Sequence, residues 1–219
     1  IYTLSLHDAL PIYGRLQRAT KPLLLLLLLV WYLTGSPAPR AVVWLALALG
    51  LAGDVLLMLP ECITGKQTSH TKDTLFLAGL GAFLAGHVAY CAAFLGMSGS
   101  RGLPPSWVFF VMLLPILAGI WVYQNIHACA SEPRPVLVAY ICVIAGMNMA
   151  AILAAWANPG PFSLLPILGG LLFLVSDAAL SLSRYRVRSF SDTFVMATYG
   201  LAQALLTGWF ILMDGGRLP

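Results

Sequence analysis

Long apolar runs, separated by short polar punctuation, set the pattern of this chain. Seven runs can be traced, over about 21–35, 41–60, 74–96, 106–126, 135–157, 161–183 and 193–213. All but the first approach or exceed the roughly 20 residues that a helix needs to cross a hydrocarbon layer. Clusters of Gly, Pro, Ser and charge at 35–40, 61–73, 97–105, 127–133, 158–161 and 184–192 divide them. The runs lack the strict alternation of barrel strands, and backbone amides in hydrocarbon must pair internally, so the pattern predicts helices. The expected fold is all-α: a polytopic transmembrane helix bundle of about seven spans. No intervening loop is long enough to hold a second domain, so 15–219 reads as a single multi-pass membrane domain.

Residues 1–14 read as a leader. The stretch IYTLSLHDALPI has no charged n-region, apolar h-region and cleavage site, which sets it apart from a signal peptide. It resembles translated sequencing-adapter read-through; the alternative is an ordinary short polar leader. The first apolar run is also short, and the expectation is that a native helix upstream of it is missing.

Composition sharpens the membrane reading. The chain is 60% hydrophobic and 9% charged, where a soluble domain carries roughly a quarter charged residues. Its net charge of +4 does not point to nucleic acid, because the basic residues sit at helix ends rather than along one amphipathic face. They point to the bilayer as partner through the positive-inside rule. Arg15, Arg18, Lys21, Lys66, Lys72, Arg134, Arg184, Arg186 and Arg188 fall on one face and Arg40, Arg101 and Arg217 on the other. Nine against three predicts that the first span starts in the cytoplasm and that the chain ends outside. The expected location is integral to a membrane: the cell membrane in a bacterium, the endoplasmic reticulum in a eukaryote. Of four cysteines, Cys91 and Cys142 lie in apolar runs, and Cys62 and Cys129 lie in loops on the predicted cytoplasmic side. No Cys/His metal spacing occurs, so free and mostly buried thiols are expected, with no zinc site.

Polar residues inside the runs carry the candidate chemistry. Asp54 interrupts LGLAGDVLLML and Asp177 interrupts LLFLVSDAALSL. A carboxylate near the bilayer centre costs on the order of 2.5–3.5 kcal/mol on insertion scales, so it turns to a partner or a cavity. Asp54 lies six residues before Pro60 and Asp177 seven before Arg184, which places both about 9–10 Å from the same membrane face at 1.5 Å per residue. The shared depth points to one site; helix packing is the competing role. Tyr199 reaches a similar level from the last span, with Gln203 one turn deeper on its face. Tyr199 also reads as an interfacial anchor. His87 and Tyr90, on one face of the third span, count about 10 Å deeper, where a His bridging two helices is the plain alternative. Asn148 is expected to bond between helices, and Lys21 to snorkel at the edge of the first span. Gly50, Gly53, Gly79, Gly86, Gly169 and Gly170 are expected to let backbones approach closely. The likeness of Gly53-Asp54 to Ser176-Asp177, each with a Leu three residues on, hints at an internal repeat.

No GxSxG, HExxH, Walker loop or GxGxxG is present. The motifs that are present resemble the YhhN/TMEM86 family, the lysoplasmalogenases. The matching pieces run in family order: Lys21-Pro22-Leu23, the GD segment 50–59, FLAGLGAFLAGHVAYCAAF at 76–94, the SD segment 169–185 and YGLAQ at 199–203. The resemblance implies an eight-helix fold, one more than the seven runs counted. It implies cleavage of the vinyl ether bond of a lysoplasmalogen, a lysophospholipid, to a fatty aldehyde and a glycerophospho-base. Under that resemblance Asp54 and Asp177 are the catalytic carboxylates, and His87, Tyr90, Tyr199, Gln203 and Lys21 are supporting or substrate-binding positions. The chemistry asks for no metal and no organic cofactor.

Vinyl ether hydrolysis needs a proton on the β-carbon, giving an oxocarbenium ion that water captures. A buried carboxylic acid keeps its proton more readily than a solvated one, and a second, ionised carboxylate stabilises the cation and activates water. Glycosidases meet a similar cation with two carboxylates. Which Asp plays which part stays open at this stage. A proton-coupled transporter or channel would use paired intramembrane aspartates equally well. It would need polar groups continuing to both membrane faces, and the sixth run is apolar from 167 to 175.

Overall fold

The computed structural model describes residues 6–62, 69–99, 102–130 and 134–215, with side chains from 20 onward except at 60–73. Seven helices account for the described chain: α1 (Leu6–Gly35), α2 (Ala41–Cys62), α3 (Ser69–Ser98), α4 (Ser106–Ile126), α5 (Arg134–Ala157), α6 (Leu164–Arg184) and α7 (Asp192–Met213). The protein is an all-α, multi-pass bundle. Helices α2 to α7 are each long and apolar enough to cross a membrane, and the apolar part of α1, Thr20–Gly35, is shorter. The described residues therefore hold seven helices, not the eight implied by the resemblance. Helix α1 begins within the expected leader, at Leu6. Residues 1–5 of that leader, and the loop lysine Lys66, lie outside the described residues.

Six helices form a ring through the neighbour pairs α1–α2, α2–α3, α3–α5, α5–α6, α6–α7 and α7–α1, while α4 packs outside on α5 and α6. The closest approaches occur at glycines. A Cβ on Gly53 would lie 2.7 Å from the Phe83 ring, one on Gly79 would lie 2.8 Å from Leu57, and one on Gly169 would lie 2.6 Å from Leu206. Lipid gives helices no hydrophobic reason to associate, so such small-residue contacts and polar bonds must hold them. The outward faces follow from the same solvent: Leu23, Leu26, Leu27 and Val30 on α1 and Trp107, Phe110, Leu114 and Leu117 on α4 are uncovered by protein.

Inside the ring, Tyr90, Phe94, Trp209 and Phe210 form an aromatic layer, all at most 2% exposed. Phe94 and Phe210 stack with centroids 4.9 Å apart, and Trp209 meets Phe94 at 5.6 Å. At the α1–α2 turn, Asp214 at the end of α7 accepts from Tyr32 Oη (2.8 Å), Ser36 Oγ (2.9 Å) and Arg40 Nε (2.7 Å). This clasp ties α1, α2 and α7 together, and no motif in the sequence announced it. The turn after α6 is set by Arg186 at φ 57, which lets Val187 and Arg188 N–H groups return to the Leu182 carbonyl. Ser191 then caps α7, accepting from Phe194 N.

The thiols correct one expectation. Cys129 and Cys142 are exposed and Cys91 is half-buried, so the described cysteines are not mostly buried. Cys142 points away from protein on α5, where lipid accepts a small apolar thiol. Cys62 ends α2 rather than lying in a loop, and its side chain is outside the described residues.

Candidate active site

Each of the six ring helices contributes a polar side chain to the ring interior. Asp54 on α2 is 7% exposed and accepts a 3.1 Å hydrogen bond from Tyr199 Oη on α7. Gly50, one turn before Asp54, makes room for this. A Cβ there would stand 3.6 Å from Tyr199 Oη and 3.7 Å from Gln203 Nε2. Gln203, one turn on from Tyr199, accepts a 2.6 Å bond from Tyr90 Oη on α3. The pairs Asp54–Tyr199 and Gln203–Tyr90 tie α7 to α2 and to α3, with every member buried.

A second cluster surrounds Asp177 on α6. Tyr140 Oη on α5 donates to Asp177 Oδ2 at 3.1 Å, and His87 Nε2 on α3 stands 3.6 Å from the same oxygen. His87 Nδ1 lies 2.7 Å from the Phe83 carbonyl. A carbonyl can only accept, so Nδ1 carries the hydrogen and the neutral ring turns its Nε2 lone pair toward Asp177. Nε2 has no other hydrogen-bond partner. The edge of Phe173, at 4.6 Å between centroids, holds the imidazole plane.

The Lys21 charge acts on both Asp54 and Asp177, and Asp177 acts on Asp54. From the edge of the first apolar run, Lys21 is thus within electrostatic reach of both carboxyls. His87 reaches Asp177 Oδ2 although its backbone lies deeper, as the count along the helices expects. Gly79 packs against Gly53 and Leu57, and Gly86 against Ala46 and Gly50, so His87 stands about 10 Å along α3 from the level of Asp54. The His87 side chain leans toward the start of α3 and that of Asp177 toward the start of the antiparallel α6, so the two meet between those levels. Asn148 bonds within its own helix, Nδ2 to the Ile144 carbonyl, not across to another, and its Oδ1 fills the space that a Gly170 side chain would take.

Tyr140 was missed by sequence reasoning. It lies six residues after Arg134, about 9 Å along α5, so the depth rule that paired the aspartates reaches it as well.

A cavity of about 130 Å³ opens beside Asp177 between α3, α4, α5 and α6, with Leu57 of α2 at its edge. Phe76, Phe83, Val122, Leu137, Ile141 and Ile144 make most of its wall apolar, and Tyr140, Asp177, Ser181, Arg184 and Tyr185 give it one polar side. Asp177 is on the wall and Asp54 is not. The Asp177 side chain is correspondingly 13% exposed. Among the described residues no three His, Cys, Asp or Glu side chains converge as a metal site would require.

The profile of the YhhN family matches residues 16–209. The chain belongs to the YhhN family. No curated protein and no solved structure matches it. The YhhN match takes in every residue of the two clusters, from Lys21 to Gln203, whereas the Asp214 end of the α1–α7 clasp falls beyond it.

Proposed function

We propose that this protein is a membrane-embedded hydrolase that cleaves the vinyl ether bond of lysoplasmalogens, releasing a fatty aldehyde and a glycerophospho-base. Membership of the YhhN family supports a lysoplasmalogenase-type reading. The observation that carries it is Asp177, a carboxyl on the wall of a largely apolar cavity and within electrostatic reach of Lys21. An alkenyl chain fits such a wall, and a carboxylic acid is the group there able to protonate carbon.

In this reading Asp177 is the acid. Its proton passes to the β-carbon of the vinyl ether, the π pair forms the new C–H bond, and the α-carbon becomes an oxocarbenium ion. The Asp177 carboxylate left behind, with Tyr140 donating to it, then takes a proton from water as that water adds to the α-carbon. The hemiacetal collapses to aldehyde and alcohol. Asp54, fixed by Tyr199, supplies a standing negative charge that favours the cation, and Lys21 offsets the two carboxylates in the resting site.

The cavity beside Asp177 supports this reading over a proton-coupled transporter, because a relay of side chains needs no largely apolar pocket. Polar groups continue from Tyr90 to Tyr32 and its partner Asp214 at the other end of the bundle, the path a transporter would use.

The test is to incubate purified protein with a lysoplasmalogen in heavy water and trap the aldehyde at once. The expected product carries one deuterium at carbon two, with a solvent isotope effect on turnover. A pre-formed aldehyde control accounts for later exchange through the enol. Turnover that leaves carbon two unlabelled rules out protonation at carbon. Absence of aldehyde, together with proton flux across liposomes containing the protein, replaces the hydrolase with the transporter.

A further inference from the structure

Helix α6 carries Asp177, Ser181 and Arg184 at positions i, i+4 and i+7, a spacing that puts all three on one face. All three line the cavity. Arg184 ends the helix, exposed, with its guanidinium 4.1 Å above the centre of the Phe76 ring of α3. Stacking by the flat face uses none of the in-plane N–H donors, which keep the fork geometry that fits a phosphate. The wall therefore reads, from the cavity mouth inward, as cation, hydroxyl and carboxyl, with apolar side chains opposite.

We infer that this column is a headgroup ruler: Arg184 takes the phosphate of a lysophospholipid, Ser181 meets its free glycerol hydroxyl, and Asp177 meets the vinyl ether. The inference rests on the hydrolase reading for the last of these contacts alone. Its warrant is length. Seven residues of helix separate Asp177 from Arg184, about 10 Å along the axis. Seven bonds separate the phosphorus from the β-carbon of a 1-alkenyl glycerophospholipid, and an extended chain advances about 1.2 Å per bond, hence about 8 Å. Both side chains lean toward the helix N-terminus, and the longer Arg184 leans further toward Asp177, which shortens the offset between their tips toward the length of the ligand. The glycerol hydroxyl falls between the two ends of the ligand, as Ser181 falls between the two ends of the column. An acyl group on that hydroxyl would remove the donor and put bulk against Ser181, so the same column selects a lyso lipid over its diradyl parent. An arginine that merely snorkels to the interface has no reason to discriminate among ligands.

The experiment compares wild type, Arg184→Gln and Arg184→Lys on two substrates, a lysoplasmalogen and the matching 1-alkenylglycerol without phosphate. Loss of one charge-assisted contact to phosphate is expected to raise KM for the lysoplasmalogen about tenfold or more in Arg184→Gln, with kcat within about twofold. The preference for the phosphorylated substrate should collapse in that variant and partly return in Arg184→Lys. Ser181→Ala should raise KM for the lysoplasmalogen by a smaller factor. A second arm uses the saturated 1-alkyl lysophospholipid, which cannot be hydrolysed, and follows its binding by tryptophan fluorescence. If wild type and Arg184→Gln share one KM and one preference, the ruler is overturned while the hydrolase stands. If no aldehyde forms but the alkyl lipid binds and Arg184→Gln weakens it about tenfold, the ruler stands and the reaction falls. Failure of wild type to bind the alkyl lipid overturns the ruler directly.

Discussion

His87 shows how one backbone contact sets the chemistry of a side chain. The Phe83 carbonyl claims Nδ1–H, so the nitrogen facing Asp177 Oδ2 at 3.6 Å is an acceptor in the neutral ring. Tyr140, donating to the same oxygen, stabilises the ionised carboxyl that remains after proton transfer. These contacts predict separate effects. Asp177→Asn and Asp54→Asn should each lower turnover at least about 100-fold. Both variants should insert and purify as wild type, since Asn fills the same space and still accepts from Tyr140 or Tyr199. Near-normal turnover in either variant would remove that residue from the mechanism, and loss of folded protein would assign it to packing. Tyr140→Phe should cost about tenfold in kcat, the scale of one lost hydrogen bond to a charged group. An unchanged kcat would detach Tyr140 from the reaction.

Helix pairs carry the site because glycines let them meet. The α2–α3 contact packs Gly53, next to Asp54, against Phe83, whose carbonyl holds the His87 ring, and the α6–α7 contact lets Ser176, next to Asp177, donate to the Val195 carbonyl one turn before Tyr199. Gly53→Val would drive a side chain into the Phe83 ring, already 2.7 Å from an added Cβ. Overpacking of this kind costs about 1–3 kcal/mol, so the thermal midpoint in detergent should fall and activity with it. Gly81→Ala is the matching control: nothing lies within 4 Å of a Cβ there, and helix propensity favours Ala by about 1 kcal/mol. A midpoint unmoved by Gly53→Val would mean that this contact does not set the α2–α3 offset.

The ring of six helices gives the molecule two unlike ends. One end holds the cavity mouth at Arg184, and the other is tied by Asp214 to Tyr32, Ser36 and Arg40, with the aromatic layer between. The charge count of nine basic residues against three predicts that the cavity end faces the cytoplasm. Cys129 is an exposed thiol near that end, and Leu103, 93% exposed, lies in the loop predicted outside. With Cys62, Cys91 and Cys142 replaced, an impermeant thiol reagent on intact cells should spare Cys129 and label Leu103→Cys. The reverse pattern would invert the orientation and leave the site geometry untouched.

Much of this architecture is legible one residue at a time. Apolar runs of membrane length admit only helices, because unpaired amides in hydrocarbon are too costly, so the seven elements follow from local pattern alone. The cost of an intramembrane carboxyl likewise marked Asp54 and Asp177 as partnered groups, and the succession of motifs placed Tyr199 and Gln203 beside them. The count along each helix gave backbone depths but not side-chain contacts. His87, counted about 10 Å deeper, still meets Asp177 Oδ2 because the two side chains lean toward each other from antiparallel helices. Tyr140 passed unnoticed because an aromatic residue near a span end is usually an anchor. That Asp177 faces the cavity and Asp54 does not is a matter of which side of each helix closes the ring. Hydropathy cannot carry that information, since lipid and protein interior are equally apolar and only packing tells them apart.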